Sequence, residues 1–300
     1  MANPLLLFSD YTFQTVALGS LLMGVLSGIL GSFAVLRKQS LLGDGVSHAA
    51  LPGVVFAFML TGTKNTEILL LGALGTGLIA TALMMNIVKH SRVKFDAALA
   101  VVMSVFFGLG LVLFTYVQKS PNANQAGLKR FIYGQAAAML ERDVYFMQIC
   151  AVVLLFIVIL FFKEFKLLTF DSDFAKSIGM PIGWMNAGLS LLIVLAIIIG
   201  LQTVGAILMS AMLIAPAAAA RQWSSKLWQM ITLAAVFGGL SGVLGTWVSS
   251  SFAQMPTGPA IVVCVSVITI ISLLFAPKRG LLSRLTRQHN QKRKLEAERG

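Results

Sequence analysis

Long apolar segments recur along the chain and are separated by short polar or basic stretches. A membrane-spanning helix needs about 20 predominantly apolar residues. Segments that approach this length lie near residues 13–36, 41–62, 68–88, 97–117, 144–162, 184–201, 204–220, 229–252 and 260–276. The pattern therefore predicts an all-α, polytopic membrane protein with about 8 to 9 transmembrane helices.

The stretch 184–220 is too long for one span and barely long enough for two. Gly200 and Gly205 bracket the polar pair Gln202 and Thr203, which predicts a tight turn between two spans. Basic residues precede and follow the stretch, and both groups are expected on the same side of the membrane. Two crossings return the chain to that side, so this also favours two spans. An arrangement of eight spans, with the first segment shortened or this stretch re-entrant, stays open.

Composition and charge agree with a membrane protein. Hydrophobic residues make up 57% of the 300 residues and charged residues only 11%, whereas soluble domains carry about 25% charged residues. The net charge of +12 would suggest nucleic-acid binding in a soluble protein. Here much of the excess lies in 278–299, directly after the last apolar segment, so we expect no nucleic-acid partner. We divide the chain into a transmembrane domain, 1–280, and a basic cytoplasmic tail, 281–300.

The distribution of basic residues predicts the orientation. Cytoplasmic loops are enriched in Lys and Arg. With the N-terminus outside and the tail inside, most of the 23 basic residues are cytoplasmic. The outer side then carries only Lys64, Lys119, Lys129, Arg130 and Arg142. We therefore expect a multi-pass protein of a plasma membrane in this orientation.

Two polar stretches are longer than simple turns. The inner one contains FDSDFAKSIGMP, in which Asp171 is a candidate N-cap, Asp173 lies in the first turn, Gly179 is a stop and Pro181 follows. This predicts a short cytoplasmic helix, which is either an ordinary loop helix or a docking element for a partner. The outer stretch, 118–143, predicts a short helix over the outer mouth.

Asp44 and His48 stand in the otherwise uncharged segment SLLGDGVSHAALPGVVFAFML. Their spacing places both side chains on one helix face. A carboxylate at mid-bilayer costs roughly 2.5 to 3.5 kcal/mol, so such a residue is by default functional. Pro52 lacks the amide hydrogen that would bond to the His48 carbonyl. The pair could tie helices together, relay protons or coordinate a metal in transit, and the residues alone leave all three open.

No other acid or histidine falls at mid-membrane in the predicted spans, so one chain supplies one carboxylate and one imidazole. A two-fold dimer would supply two of each, and the two negative charges would neutralise a divalent cation. Such a set suits Mn2+, Fe2+ or Zn2+, and the absence of thiolates or a methionine cluster disfavours Cu(I). The metal would then be a substrate, and we expect no permanently bound cofactor.

The sequence lacks the nucleotide-binding pattern GxxxxGK[ST], a nucleophile elbow and an HExxH helix. We therefore expect a transport subunit and no enzyme. If transport is driven by ATP, the ATPase must be another polypeptide.

Three blocks carry a family resemblance. The block GSFAVLRKQSLLGDGVSHAALPGVVFA resembles the signature region of the membrane permeases of manganese, zinc and iron ABC importers, the ABC-3 family. A second family block is similar to QTVGAILMSAMLIAPAAAAR, and the family's coupling segment is similar to FDSDFAKSIGMP. The similarity runs from about residue 13 to residue 280. Ser172 stands where a proline is common, and the tail is longer than usual.

The resemblance implies specific roles and partners. Asp44 and His48 would be metal ligands in the translocation path, and Asp171, Ala175 and Gly179 would mark a helix that docks on a cytoplasmic ATPase. The partners would be two ATPase copies, a second permease copy and an extracytoplasmic metal-binding protein, in a bacterial plasma (inner) membrane. Segments such as NANQAGLKRFIYGQAAA look more like manganese and iron members than zinc members, so manganese is the first expectation.

Three alternatives remain at this point. The first is an ABC permease for another small substrate, such as an iron chelate. The second is a proton-coupled secondary metal transporter, a class that commonly shows inverted repeats and several intramembrane acids. The third is a scaffold without transport activity.

Overall fold

The computed structural model describes residues 11–63, 65–119, 141–203, 205–252 and 255–283. This part of the chain is helical and contains no strand. The helices are α1 (Tyr11–Leu36), α2 (Leu42–Ala49), α3 (Leu51–Thr61), α4 (Thr66–His90), α5 (Phe95–Gln118), α6 (Glu141–Leu160), α7 (Phe162–Phe170), α8 (Ser172–Ser177), α9 (Ile182–Thr203), α10 (Ala206–Trp223), α11 (Leu227–Ser251) and α12 (Thr257–Phe275). The predicted helix over the outer mouth and most of the predicted tail lie outside the described residues.

The helices confirm a polytopic membrane protein. Within the described residues, 7 helices are long and apolar enough to cross a membrane, with α2 and α3 together forming one of these spans. The number rises to 8 if α6 and α7, which meet at a bend of 66°, count as one span. The 18-residue helix α10 falls outside this set. The stretch 184–220 divides between Thr203 and Ala206, so two helices form as predicted. Gln202 and Thr203, where the turn was predicted, end α9, and the break follows them at Gly205, which has φ +84°.

Contacts between loops agree with the predicted division of the loops between two sides of the membrane. Arg142 forms an ion pair with Glu67, which brings together the beginnings of α6 and α4, both predicted to be outside. Lys278 Nζ lies 3.4 Å from Ser225 Oγ, which brings the end of α12 to the loop between α10 and α11, both predicted to be inside. The loops that were expected to share a side therefore lie together.

The bundle is organised around α1, which packs closely on α11. A Cβ atom added to Gly24 would lie 2.1 Å from the Gly238 carbonyl oxygen, and one added to Gly28 would lie 2.3 Å from the Ala234 carbonyl oxygen. The two backbones therefore touch without intervening side chains. Small residues allow this close approach in membrane bundles, where dispersion contacts replace the hydrophobic effect as the driving force.

The two prolines within apolar spans have different consequences. Helix α2 ends at Ala49 and α3 begins at Leu51, so the span is interrupted next to Pro52, which occupies the second position of α3. Proline suits the first turn of a helix because the amide hydrogen it lacks has no partner there. Pro216, in contrast, lies inside an uninterrupted α10.

Candidate metal site and cytoplasmic docking helix

Helix α2 is enclosed by other helices of the same chain. A Cβ added to Gly45 would touch Leu99 of α5, and one added to Gly43 would touch Leu213 of α10. Six of its eight residues are buried: Leu42, Gly43, Gly45, Val46, Ser47 and Ala49. The other two are Asp44 and His48, which are half-buried. The exposed side of α2 is therefore formed by the carboxylate and the imidazole.

The two side chains lie beside each other, as their spacing predicts. His48 Nε2 is 3.4 Å from Asp44 Oδ1, and the exposed fractions of the side chains are 22% and 36%, respectively. A carboxylate oxygen and an imidazole nitrogen this close together can approach one cation from the same side. The structure therefore places together the two residues that the sequence identified.

The pair lies midway through the bundle. The His48 ring contacts the edge of the Phe107 ring, with centroids 4.7 Å apart, and Phe107 is central in α5. Two residues after His48, the Ala50 carbonyl oxygen is 3.5 Å from Thr76 Oγ1, and Thr76 is central in α4. These neighbours agree with the predicted position near the middle of the membrane.

Exposed apolar residues lie before and after the pair along the span. Leu41 precedes Asp44 by about one helical turn and is exposed. Phe56 and Leu60, which follow in α3, are also exposed. The pair is therefore flanked along the chain by exposed apolar side chains.

One chain offers an incomplete metal site. Among the described residues, no group of three or more histidine, cysteine, aspartate or glutamate side chains could hold a metal ion. Protein sites for divalent transition metals usually have at least three or four protein ligands. A closed coordination shell at Asp44 and His48 would therefore need ligands from outside this chain.

The predicted cytoplasmic helix is α8. Asp171 Oδ1 accepts a hydrogen bond from the Phe174 amide at 2.9 Å, which confirms the predicted N-cap. The Met180 amide donates to the Ala175 carbonyl at 3.1 Å, and Gly179 has φ +82°. This is the hydrogen-bond pattern of a Schellman motif, in which the left-handed residue is usually glycine. Gly179 therefore ends the helix as predicted.

Helix α8 has a buried side and an apolar exposed side. Ala175 is buried, so its small side chain allows α8 to lie against the protein. Phe170, Phe174 and Ile178 are exposed and follow one another at intervals of four residues. The sequence analysis did not identify Phe174 and Ile178, although their spacing in a polar stretch was a usable signal.

Sequence analysis also missed a contact at the cytoplasmic end of α1. The Arg37 guanidinium donates a hydrogen bond to Asn186 Oδ1 of α9. Burial lowers the pKa of Arg37, but arginine is too strong a base for its guanidinium to lose the proton inside a protein. In the sequence Arg37 is only one of several basic residues at span ends, and nothing there shows that it is buried.

The described residues define a polytopic helical membrane protein with an ionisable pair inside its bundle and a short helix, α8, with an exposed apolar side. The chain belongs to the ABC 3 transport family, whose family model matches residues 9–276. The family resemblance expected from the sequence is therefore confirmed.

Named relatives agree with this assignment. The chain is 52% identical to the zinc transport system membrane protein TroC of Treponema pallidum, over 94% of this chain and 95% of that protein. It is 46% identical to the manganese transport system membrane protein MntC of Bacillus subtilis, over 95% of this chain and 66% of that protein. Among solved structures, PsaBC from Streptococcus pneumoniae in complex with Fab has a TM-score of 0.80 at 32% identity and covers 91% of this chain and 95% of that chain.

These relatives are bacterial membrane proteins, which confirms the expected multi-pass location in a bacterial plasma membrane.

Proposed function

We propose that this chain is the membrane-spanning permease subunit of an ATP-driven importer of a divalent transition metal, and that the metal passes between the Asp44–His48 pairs of two copies. The observation that carries the proposal is that these two side chains form the only unburied part of α2. An ionisable pair in the middle of a bundle is costly against lipid, so its open side is expected to face another protein or a water-filled path.

A second copy of the chain would fit this open face. Two pairs related by a two-fold axis would give two carboxylate and two imidazole ligands, a set that suits Mn2+, Fe2+ or Zn2+. The two carboxylates would neutralise the charge of the dication. Leu41 and Phe56 would form apolar contacts on either side of the metal and keep it from leaking along the interface.

Four ligands from two subunits also suit transport. Asp44 and His48 would replace the water lost by the ion as it enters the middle of the membrane. The ion would be released when the two copies move apart, because each copy alone holds only two ligands. A path must bind its ion well enough to admit it and weakly enough to release it.

The resemblance of the docking helix supports a cytoplasmic partner. We propose that two ATPase subunits bind the exposed side chains of Phe170, Phe174 and Ile178, and that Asp171, Ala175 and Gly179 hold α8 in place beneath them. On the outer side we expect a metal-binding protein to deliver the ion. No covalent chemistry is assigned to this chain itself, which agrees with a transport subunit.

The relatives' names divide between zinc and manganese. We propose manganese first, because segments such as NANQAGLKRFIYGQAAA look more like manganese and iron members of the family. Zinc and iron are the alternatives, because carboxylates and imidazoles accommodate all three metals. A proton-coupled secondary metal transporter was the alternative from another class. Membership of the ABC 3 transport family does not favour it.

The decisive experiment is purification with native neighbours, followed by reconstitution in vesicles and uptake of Mn2+, Zn2+ and Fe2+ measured separately. We expect an ATPase subunit to copurify and uptake to require ATP hydrolysis. Uptake that a pH gradient drives without ATP would contradict the proposal and support the secondary transporter. Purification without any ATPase, together with uptake that does not need ATP, would also contradict the proposal.

A second experiment addresses the docking helix. Asp171→Ala removes the N-cap hydrogen bond, which should destabilise α8 by about 1 kcal/mol. We expect the global unfolding temperature to change little, because α8 is short and at the surface, while ATP-driven uptake falls several-fold. Asp171→Asn is the matched control, because asparagine caps helices as well as aspartate does. Equal uptake by the Ala and Asn variants would show that the cap does not support coupling.

A further inference from the structure

Arg37 stands between the proposed docking helix and the proposed metal site. It follows the last residue of α1, and the short turn after it leads into α2, which carries Asp44. Its hydrogen-bond acceptor, Asn186, lies in the first turns of α9, and α9 follows α8 after Gly179 and Pro181. A single charge-assisted hydrogen bond therefore joins the segment that begins at α8 to the segment that ends at Asp44.

The turn after Arg37 is held in a defined conformation. Lys38 has φ +57°, and it is the only described residue other than glycine with a positive φ. The Lys38 amide donates to the Val35 carbonyl at 3.2 Å, and the Gln39 amide donates to the Ala34 carbonyl at 2.8 Å. This is a second Schellman motif, with lysine in the position that glycine usually takes. A turn fixed in this way would pass a displacement of Arg37 on to α2.

The guanidinium is incompletely paired. Arg37 NH1 is buried and has no hydrogen-bond partner among the described residues. Glu164 of α7 has a buried carboxylate oxygen, Oε2, that also lacks a partner in the described part of the chain. Buried donors and acceptors are normally satisfied, and an unsatisfied one calls for an explanation.

Glu164 lies in the same cytoplasmic layer as Arg37. The next residue, Phe165, has its ring edge against Phe33, with centroids 6.1 Å apart. Phe33 precedes Arg37 by one helical turn. An unpaired cationic donor one turn after Phe33 and an unpaired anionic acceptor next to Phe165 thus flank this ring contact, and no ion pair joins them among the described residues.

We propose that Arg37 is a positioning residue for metal transport, which exchanges its partner between Asn186 and Glu164 as the docking segment moves and so links that movement to Asp44. The inference rests on the proposed function. The physical basis is that the Arg37 guanidinium would have two alternative acceptors. Along the chain, Glu164 comes before α8 and Asn186 comes after it. Such a two-state element can connect distant sites.

Arg37→Gln and Asn186→Ala test the role in the reconstituted complex with its ATPase. Hydrogen bonds to charged groups contribute about 1.5 to 3 kcal/mol, so we expect the ratio of metal imported to ATP hydrolysed to fall about 10-fold or more in both variants. The exchange of charges in Arg37→Glu with Glu164→Arg should restore part of the ratio. Lys89→Gln, which removes an exposed positive charge in the last turn of α4, should leave the ratio unchanged.

The ratio of metal imported to ATP hydrolysed separates a positioning role of Arg37 from a merely structural one, because a loss of folded protein lowers transport and ATP hydrolysis together. Should Arg37→Gln fail to fold, Asn186→Ala still removes the bond without burying a new polar group. Wild-type transport ratios in both variants would overturn the inference and leave the proposed function intact. Metal uptake by the wild type without ATP would instead overturn the proposed function.

Cross-linking tests the exchange without measuring transport. In a chain that keeps Arg37, Asn186 and Glu164, Cys150 and Cys264 are replaced by serine and exposed neighbours carry the new cysteines. Lys38→Cys is combined with Ala187→Cys in one variant and with Lys163→Cys in another, and each is treated with bifunctional thiol reagents with and without ATP and vanadate. When ATP and vanadate are added, we expect the cross-linking yield of one cysteine pair to rise and that of the other pair to fall. Yields that do not change with nucleotide would contradict the proposal.

Discussion

Asp44→Ala and His48→Ala should each reduce ATP-driven metal uptake to background. In the proposed dimer one substitution removes two of the four ligands, because both copies carry it. Even indirect partners of a metal ligand change affinity or activity by about 10- to 100-fold, so the loss of two direct ligands should exceed 100-fold. The loss is measured as the uptake of radioactive Mn2+, Zn2+ or Fe2+ into vesicles, or with a fluorescent metal indicator inside them.

Ser47→Ala is the matched control for this prediction. Ser47 is a polar residue of the same helix, but it is buried and its hydroxyl donates to the Gly43 carbonyl at 2.7 Å. We expect its removal to leave uptake within about two-fold of the wild type, because it replaces a local hydrogen bond worth about 1 kcal/mol and no ligand.

The stoichiometry of bound metal tests the dimer separately. The complex should bind one metal ion for every two permease chains, and Asp44→Ala should abolish this binding. Metal uptake that persists in Asp44→Ala, or one ion bound per chain, would contradict a site shared at a two-fold axis.

The second large effect concerns the packing of α1 on α11. Gly24→Ala should destabilise the protein strongly, since its new Cβ would lie 2.1 Å from the Gly238 carbonyl oxygen, which cannot move without the helix. Overpacking of a close-packed core typically costs about 1 to 3 kcal/mol, and a clash between two backbones should reach or exceed that upper value. Thermal unfolding in detergent, together with the yield of folded protein, measures the change.

Gly75→Ala provides the matched control. Gly75 lies in the interior of α4, and a Cβ built there has no other atom within 4 Å. Alanine favours a helix over glycine by about 0.5 to 1 kcal/mol, so this variant should be as stable as the wild type or slightly more stable. If Gly24→Ala and Gly75→Ala unfold at the same temperature, the close contact between α1 and α11 is not what stabilises the bundle.

Most of the helical architecture could be predicted from local sequence. Membrane spans are set by the length of apolar segments, because a backbone in lipid must satisfy its own hydrogen bonds. The division of 184–220 into two helices, the N-cap at Asp171 and the stop at Gly179 followed from local capping and turn chemistry. The number of spans did not follow, because the bend after Leu160 and the proline-containing α10 depend on how neighbouring helices pack.

The candidate site could be predicted in part. Asp44 and His48 were identified because ionisable residues are rare in apolar segments. The partner of Arg37 could not be predicted, since Asn186 is distant in sequence and lies at a helix end like many other polar residues. Phe174 and Ile178 were missed although their four-residue spacing indicated one helix face, and only the structure shows that this face is exposed.

The sequence by itself determined that this is a polytopic helical membrane protein with one ionisable pair inside an apolar span, because burying charge in lipid is so costly that its position is informative. Only the tertiary structure decided that this pair forms the open side of an otherwise enclosed helix, and that Arg37 reaches α9. Burial and partnership depend on which helices lie together, and in this bundle close contacts between glycine-bearing backbones far apart in the chain determine that arrangement.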